Sequence, residues 1–318
     1  LNTPLGIIVG AAGSGKDTVA ALLSKYIPTT IIAQADPLKR FAAKVFGFTE
    51  HQLWGPSDAR NAPDSRFDKA DTWTEANKRL VAEADNWLEE VLLAKQGPNN
   101  AFMFDEARNR LFSWFDSIAT AHEWNLRGAS FYRPSTRRFH GPGTNCRQLT
   151  PRYVLQTLGT EWGRNFSKDM WNKVAIKNAM TVLGGGNYYS RMKGVFTPAP
   201  DSSYELKEPA LALITDGRFR NEVLGVMKVG GFAINVVSPG DDNSAIETAG
   251  IKGHVSEKEL KGIPRQWFKY RIVNDKSKGL LALENVVQKL AICIKDGVTT
   301  FSTAHVLGIR TYGCGPFF

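Results

Sequence analysis

Residues 10–18 read GAAGSGKDT, three glycines spaced around a single lysine. Glycines at 10, 13 and 15 let the backbone turn its N–H groups inward around phosphate oxygens, and a helix beginning just beyond adds favourable partial charge. A lysine at this spacing neutralises the phosphate that moves. The pattern predicts a nucleoside-triphosphate cradle built from Gly10, Ala12, Gly13, Ser14, Gly15, Lys16, Asp17 and Thr18. Such loops usually carry Ser or Thr directly after the lysine to help hold magnesium. Here Asp17 occupies that place and Thr18 follows, so the metal ligand stays open between them. A further carboxylate, Asp216, ends the apolar run PALALIT, where open α/β sheets place ligands, and it suits a magnesium-linked acid. Arg218, Asn221 and Glu222 follow it closely.

The surrounding pattern supplies elements to hold these groups. Residues 5–10, LGIIVG, form the short β-branched run of a buried parallel strand. Val19, Leu22, Leu23 and Tyr26 then recur at helical spacing, giving strand, loop and helix in order. TIIAQA at 30–35 predicts a second strand. Asp36-Pro37-Leu38-Lys39-Arg40 opens a helix, with proline suited to its first turn. Lys39 and Arg40 face either an anionic acceptor or solvent, which spacing alone does not decide. Thr150-Pro151-Arg152 starts another helix through Val154, Leu155 and Leu158, with Thr150 as its cap. Arg152, Gln156, Glu161 and Arg164 can share one polar face there, suited to nucleotide recognition or to an ordinary surface. After the strand at 209–215, a helical pattern with Val223 and Val226 stops at Gly230-Gly231, and FAINVV supplies a further strand. Strand, helix, strand implies a parallel sheet and an α/β fold.

Between about 58 and 147 the texture becomes long, charged and helical, with Trp73, Trp87, Trp114 and Trp124 at spacings that favour core packing over base stacking. This stretch reads as an insertion or lid, dividing the chain into a core segment at 1–57, the insertion, a second core segment at 148–295 and a tail at 296–318. Arg133, Arg137 and Arg138 lie among prolines and glycines and suit phosphate contact. Residues 238–253 form a polar loop able to close over a nucleotide, before His254. A lone loop histidine more often packs or faces solvent than catalyses. The net charge of +9 favours anionic partners without naming one. Three distant cysteines, Cys146, Cys293 and Cys314, read as reduced structural thiols. No repeat or coiled-coil heptad is visible. The lack of a long apolar run and of a leader pattern predicts a soluble, cytoplasmic chain with no membrane partner.

Taken together, GAAGSGKDT, ADPLKRFAAKVFGFTEHQLWG, TPRYVLQTLGTEWGR, ITDGRFRNEV and GHVSEKEL, in this order, resemble the bacteriophage deoxynucleoside monophosphate kinases. The resemblance covers about residues 5–56 and 149–290. The stretch at 58–147 is longer than the family needs, and the tail matches nothing. The resemblance implies a P-loop fold like that of the nucleoside monophosphate kinases, a parallel sheet flanked by helices with a largely helical insertion. It further implies ATP and Mg2+, a deoxynucleoside monophosphate acceptor and, for a phage protein, the cytoplasm of an infected bacterium. It places Lys16 at the ATP phosphates, Asp36, Lys39 and Arg40 beside the acceptor, and Arg152 and Gln156 on the acceptor-recognition helix. The segment DGRFRNE keeps the family's Asp216, Arg218, Phe219, Asn221 and Glu222. His254, Ser256 and Glu257 match its HxSE pattern.

The expected chemistry is transfer of the ATP γ-phosphoryl group, with Lys16, Asp36, Arg152, Asp216 and Arg218 as the catalytic set. Asp36, Lys39, Arg40, Arg152, Gln156, Arg218 and Glu222 would contact substrate, and Asp17, Thr18 and Asp216 the metal. Two other readings stay open. Related phage enzymes phosphorylate the hydroxymethyl group of 5-hydroxymethyluracil within DNA, and there Asp36 would serve as general base. A nucleotide-dependent DNA-binding switch would instead hydrolyse ATP without an acceptor. The sequence leaves a homodimer undecided.

Overall fold

The computed structural model describes residues 4–11, 13–122, 149–186, 188, 211–239, 262–295 and 310–311. Ala12, Trp124, Arg133, Arg137, Arg138, Cys146, residues 240–253, His254, Ser256, Glu257 and Cys314 lie outside them, as does nearly all of the tail. The described residues fall into two compact units. One holds those up to 34, those from 175 to 188 and those from 211 onward; the other holds residues 35–174.

The first unit is α/β. Strands β1 (Leu5–Val9), β2 (Thr29–Ile32), β3 (Leu211–Gly217), β4 (Phe232–Val237) and β5 (Phe268–Val273) are all parallel. They lie in the order β2-β3-β1-β4-β5, and a two-residue strand β6 (Arg310–Thr311) pairs antiparallel to β5. β1 is central and buried throughout, which is why its sequence reads as an unbroken apolar run. Its side chains alternate between two cores. Ile8 packs with α1 (Lys16–Leu23) through Val19, Leu22 and Leu23 on one face. Leu5, Ile7 and Val9 pack on the other with Ala179 and Val182 and with Val223 and Val226 of the helix Arg220–Lys228. Because the strands run parallel, the ends of β1, β2, β3, β4 and β5 all emerge at one edge, and the loops that follow them share it.

Some bounds differ from the sequence reading. α1 ends at Leu23, and Tyr26 lies in the turn beyond, its hydroxyl donating to Glu284 at 3.2 Å. β2 stops at Ile32, and β3 runs on through Asp216 to Gly217. The sequence reading assigned no element to FKYRIV, which forms β5, or to the helix Gly279–Lys295 that packs Leu283, Val287 and Leu290 against the α1 face.

The second unit is helical. It contains α2 (Asp36–Phe46), α3 (Glu50–Trp54), α4 (Ser57–Asn61), α5 (Ala70–Leu92), α6 (Ala101–Ala121) and α7 (Pro151–Thr157), which continues into a π-helical stretch, Leu158–Arg164. Helix α8 (Met170–Leu183) begins in this unit and has residues from 175 onward in the other. A single core joins Phe41 and Phe46 of α2, Trp73 and Trp87 of α5, Trp114 and Phe115 of α6, and Val154 and Trp162. Residues flanking the segment 58–147 on both sides share this core with the segment's described residues. Trp73, Trp87 and Trp114 are buried, as their spacing predicts. Their indole N–H groups donate to Phe67 O, Pro37 O and Thr157 Oγ1 at 2.9, 3.1 and 3.0 Å, which meets the need of a buried polar donor for a partner. Thr49 and Gln52 cap α3 reciprocally, Gln52 N donating to Thr49 Oγ1 and Thr49 N to Gln52 Oε1.

Candidate functional site

The loop between β1 and α1 owes its course to particular backbone angles. Gly13 and Gly15 have φ of 77° and 93°, left-handed values that favour glycine. At Gly10 the constraint is space: a Cβ there would overlap Val236 O and Ser14 Oγ. Ser14 N donates to Ala11 O at 3.2 Å, closing the turn, and Val19 N to Gly15 O at 2.9 Å, starting the helix. The Lys16 ammonium reaches back across the loop and donates to Gly10 O at 2.8 Å and Ala11 O at 2.9 Å. Ser14 is buried, and its Oγ has no hydrogen-bond partner among the described residues.

Burial pushes the Lys16 pKa down from its ordinary 10.5, and the nearby Arg218 guanidinium pushes the same way. The Asp17 and Asp216 carboxylates oppose them. Asp17, Asp216 and Arg218 thus each stand within electrostatic reach of Lys16. Gln34, just past β2, donates its backbone N–H to Asp216 Oδ1 at 2.9 Å. Glu222 Oε2 accepts the backbone N–H groups of Arg218 and Phe219 at 2.7 and 3.0 Å. That bond places Glu222 at the start of α9 (Arg220–Lys228), where its charge suits the helix dipole.

Beside the loop lies a cavity of about 410 Å³ lined by Gly15, Lys16, Asp17, Thr18, Asn274 and Leu280, among others. Asn274 and the turn after β5 were missed by the sequence reading. The signal available was the turn-forming dipeptide Asn-Asp directly after an alternating strand, which marks the turn but not its neighbour.

Other predicted residues belong to the helical unit. Asp36 is buried, its Oδ1 accepting from Trp54 Nε1 at 3.3 Å, and Lys39 Nζ stands 5.3 Å from the centre of the Trp54 ring. Arg40 forms an ion pair with Glu90 of α5, which resolves its direction toward a neighbouring helix of the same unit. Thr150 Oγ1 accepts from Tyr153 N at 3.1 Å, the predicted cap of α7. Arg152 donates through Nη2 to Ser57 Oγ of α4 at 3.0 Å, and Gln156 is exposed. Ser57 of α4, the acceptor of the Arg152 bond, was not singled out from sequence.

Among the described residues no group of three or more His, Cys, Asp and Glu side chains is placed to hold a metal ion. None of their helices is long and apolar enough to cross a membrane. No protein-family model matches the chain, and a search of curated proteins finds no match.

Proposed function

We propose that the protein is a P-loop phosphotransferase of the nucleoside-monophosphate-kinase type, moving the γ-phosphoryl group of ATP to a deoxynucleoside monophosphate. The observation that carries this reading is the loop itself: an ammonium drawn over a turn with two left-handed glycines, at the carboxyl edge of a central parallel strand and at the start of a helix. Backbone N–H groups and Lys16 together suit a polyphosphate. An anion exchanges favourably with the carbonyls of Gly10 and Ala11, since charge-assisted bonds are stronger than those to neutral oxygens.

Phosphoryl transfer asks for charge stabilisation and alignment more than for covalent help. An acceptor phosphate oxygen bonds to the γ-phosphorus as the bond to the β,γ-bridging oxygen breaks, releasing ADP and a diphosphate. Lys16 and Arg218 neutralise negative charge on the transferring group. Arg152, Lys39 and Gln156 bind the acceptor in this reading. An acceptor phosphate is already ionised, so no strong general base is required. Asp17 and Thr18 line the cavity next to Lys16, and with Asp216 they offer the oxygen ligands Mg2+ prefers when it is shared with substrate phosphates. The ion, when bound, supplies further neutralisation of the triphosphate.

The test is transfer of labelled γ-phosphate from ATP, offered in parallel to the deoxynucleoside monophosphates, 5-hydroxymethyl-dUMP and DNA carrying 5-hydroxymethyluracil. Label in a nucleoside diphosphate is the expected result. Label in DNA alone would reassign the acceptor, and ATP binding with transfer to none of these would overturn the reading.

A further inference from the structure

Asn274 directly follows β5, and it is only 6% exposed. Two observations tie it to the glycine loop, and a third anchors it to the sheet. Its Nδ2 donates to Ser14 O at 2.9 Å in a buried bond. The same nitrogen packs so closely on Gly15 that a Cβ there would overlap it. Its backbone N–H donates to Val237 O at 2.8 Å, anchoring it to the end of β4. We propose that Asn274 is a positioning residue that holds the Ser14–Gly15 peptide in the orientation that receives a polyphosphate.

The reason lies in peptide geometry. In a trans peptide the C=O and the following N–H point in opposite directions. A bond that fixes Ser14 O toward Asn274 therefore fixes the Gly15 N–H away from Asn274. Gly15 sits at φ 93° with ψ 21°, and a glycine beside a peptide lowers the barrier to rotating it as a unit, because no Cβ opposes the change. A rotated peptide presents an oxygen where a donor stood, which repels an anion. The neighbouring peptides are held by other bonds, Ser14 N donating to Ala11 O and Val19 N donating to Gly15 O. Asn274 supplies the bond to the carbonyl between them. A carboxamide is suited to this task, since it donates at full strength without adding charge next to a phosphate site.

This inference rests on the polyphosphate-binding reading of the loop, and the test separates the two. Binding of inorganic tripolyphosphate and of ATP to the full chain would be measured by calorimetry for the wild type, N274A and N274D. Tripolyphosphate has no base or sugar, so it reports on the loop alone. Loss of one neutral hydrogen bond predicts affinity about three- to tenfold weaker in N274A for both ligands. N274D keeps the size of the side chain but presents a carboxylate to Ser14 O, and it is expected to bind more weakly than N274A at neutral pH. Its deficit relative to wild type shrinks as pH falls toward the carboxyl pKa, because a protonated Asp regains a donor. Thermal unfolding of the three proteins, followed in parallel, separates a defect in binding from a loss of the fold. Wild-type binding with N274A and N274D both unchanged would overturn the inference and leave the proposed function standing. A wild type that binds neither tripolyphosphate nor ATP would overturn the proposed function itself.

Discussion

Replacing Gly13 and Gly15 separately by alanine divides the loop's stability into two contributions. At Gly13 nothing stands within 4 Å of an added Cβ, so G13A pays only for a left-handed backbone, about 1–2 kcal/mol. At Gly15 the same backbone cost applies, and the Cβ also overlaps Asn274 Nδ2. Displacing Asn274 removes its bond to Ser14 O, adding about 0.5–1.5 kcal/mol, so G15A is expected to cost about 1.5–3.5 kcal/mol in all. In the double variant G15A/N274A the overlap is gone, and the pair should cost less than the sum of its parts. Hydrogen exchange over β1 and α1, read by mass spectrometry, is the assay of choice. Indole fluorescence would report mostly on Trp73, Trp87, Trp114, Trp162 and Trp171 of the other unit. If G15A is no worse than G13A, or if the double variant is fully additive, the packing of Asn274 on the loop is refuted.

Four further outcomes follow from the same physics. K16A should weaken ATP binding by about ten- to 150-fold, as expected for charge-assisted bonds, with exchange in β1 unchanged. With the folded Lys16 pKa below 10.5, the unfolded chain holds this proton more tightly, so stability rises as pH climbs through the lowered value while ATP affinity falls; K16R, measured by calorimetry against pH, should lack that alkaline fall in affinity. Asp64 is buried, which pushes its carboxyl up, but hydrogen bonds from Arg66 and Gln52 outweigh this and hold its pKa below 3.8. Its contribution is therefore present above 3.8 and lost as pH falls through the lowered value; D64N should cost about 1–3 kcal/mol at neutral pH and blunt the acid transition seen by tryptophan fluorescence. Phe46 is fully buried against Phe48, Phe67, Trp114 and Phe115, and F46A should cost about 3–5 kcal/mol in denaturant unfolding followed by the same signal.

Legibility from sequence followed how local each signal is. β1, the glycine loop and α1 were readable because an apolar run, positive-φ glycines and helical spacing are all written within twenty residues. The cap at Thr150 and the burial of Trp73, Trp87 and Trp114 were local for the same reason. β5 carries the alternation of a half-buried strand but was assigned no element, and its buried Arg271 shows that alternation alone does not reveal which side chains end up inside. The direction of Arg40 depended on Glu90, fifty positions along, and no spacing rule on α2 alone reveals a partner on α5. Asn274 is the extreme case: its meaning lies wholly in Ser14 and Gly15, which only the sheet topology brings to it.

That topology also governs how the chain can fold as it is made. β1 pairs with β3 through Leu5 and Ala212, Ile7 and Ile214, and Val9 and Gly217, so the first strand has to wait for most of the chain to leave the ribosome before its nearest partner exists. Residues 35–174, with their own aromatic core, meet no such delay and can fold while β1 is still unpaired. The glycine loop, which packs on β4 and Asn274, is then among the last parts to form. A ribosome stalled before residue 211 would carry a helical unit able to fold and a glycine loop still without the strands that shape it.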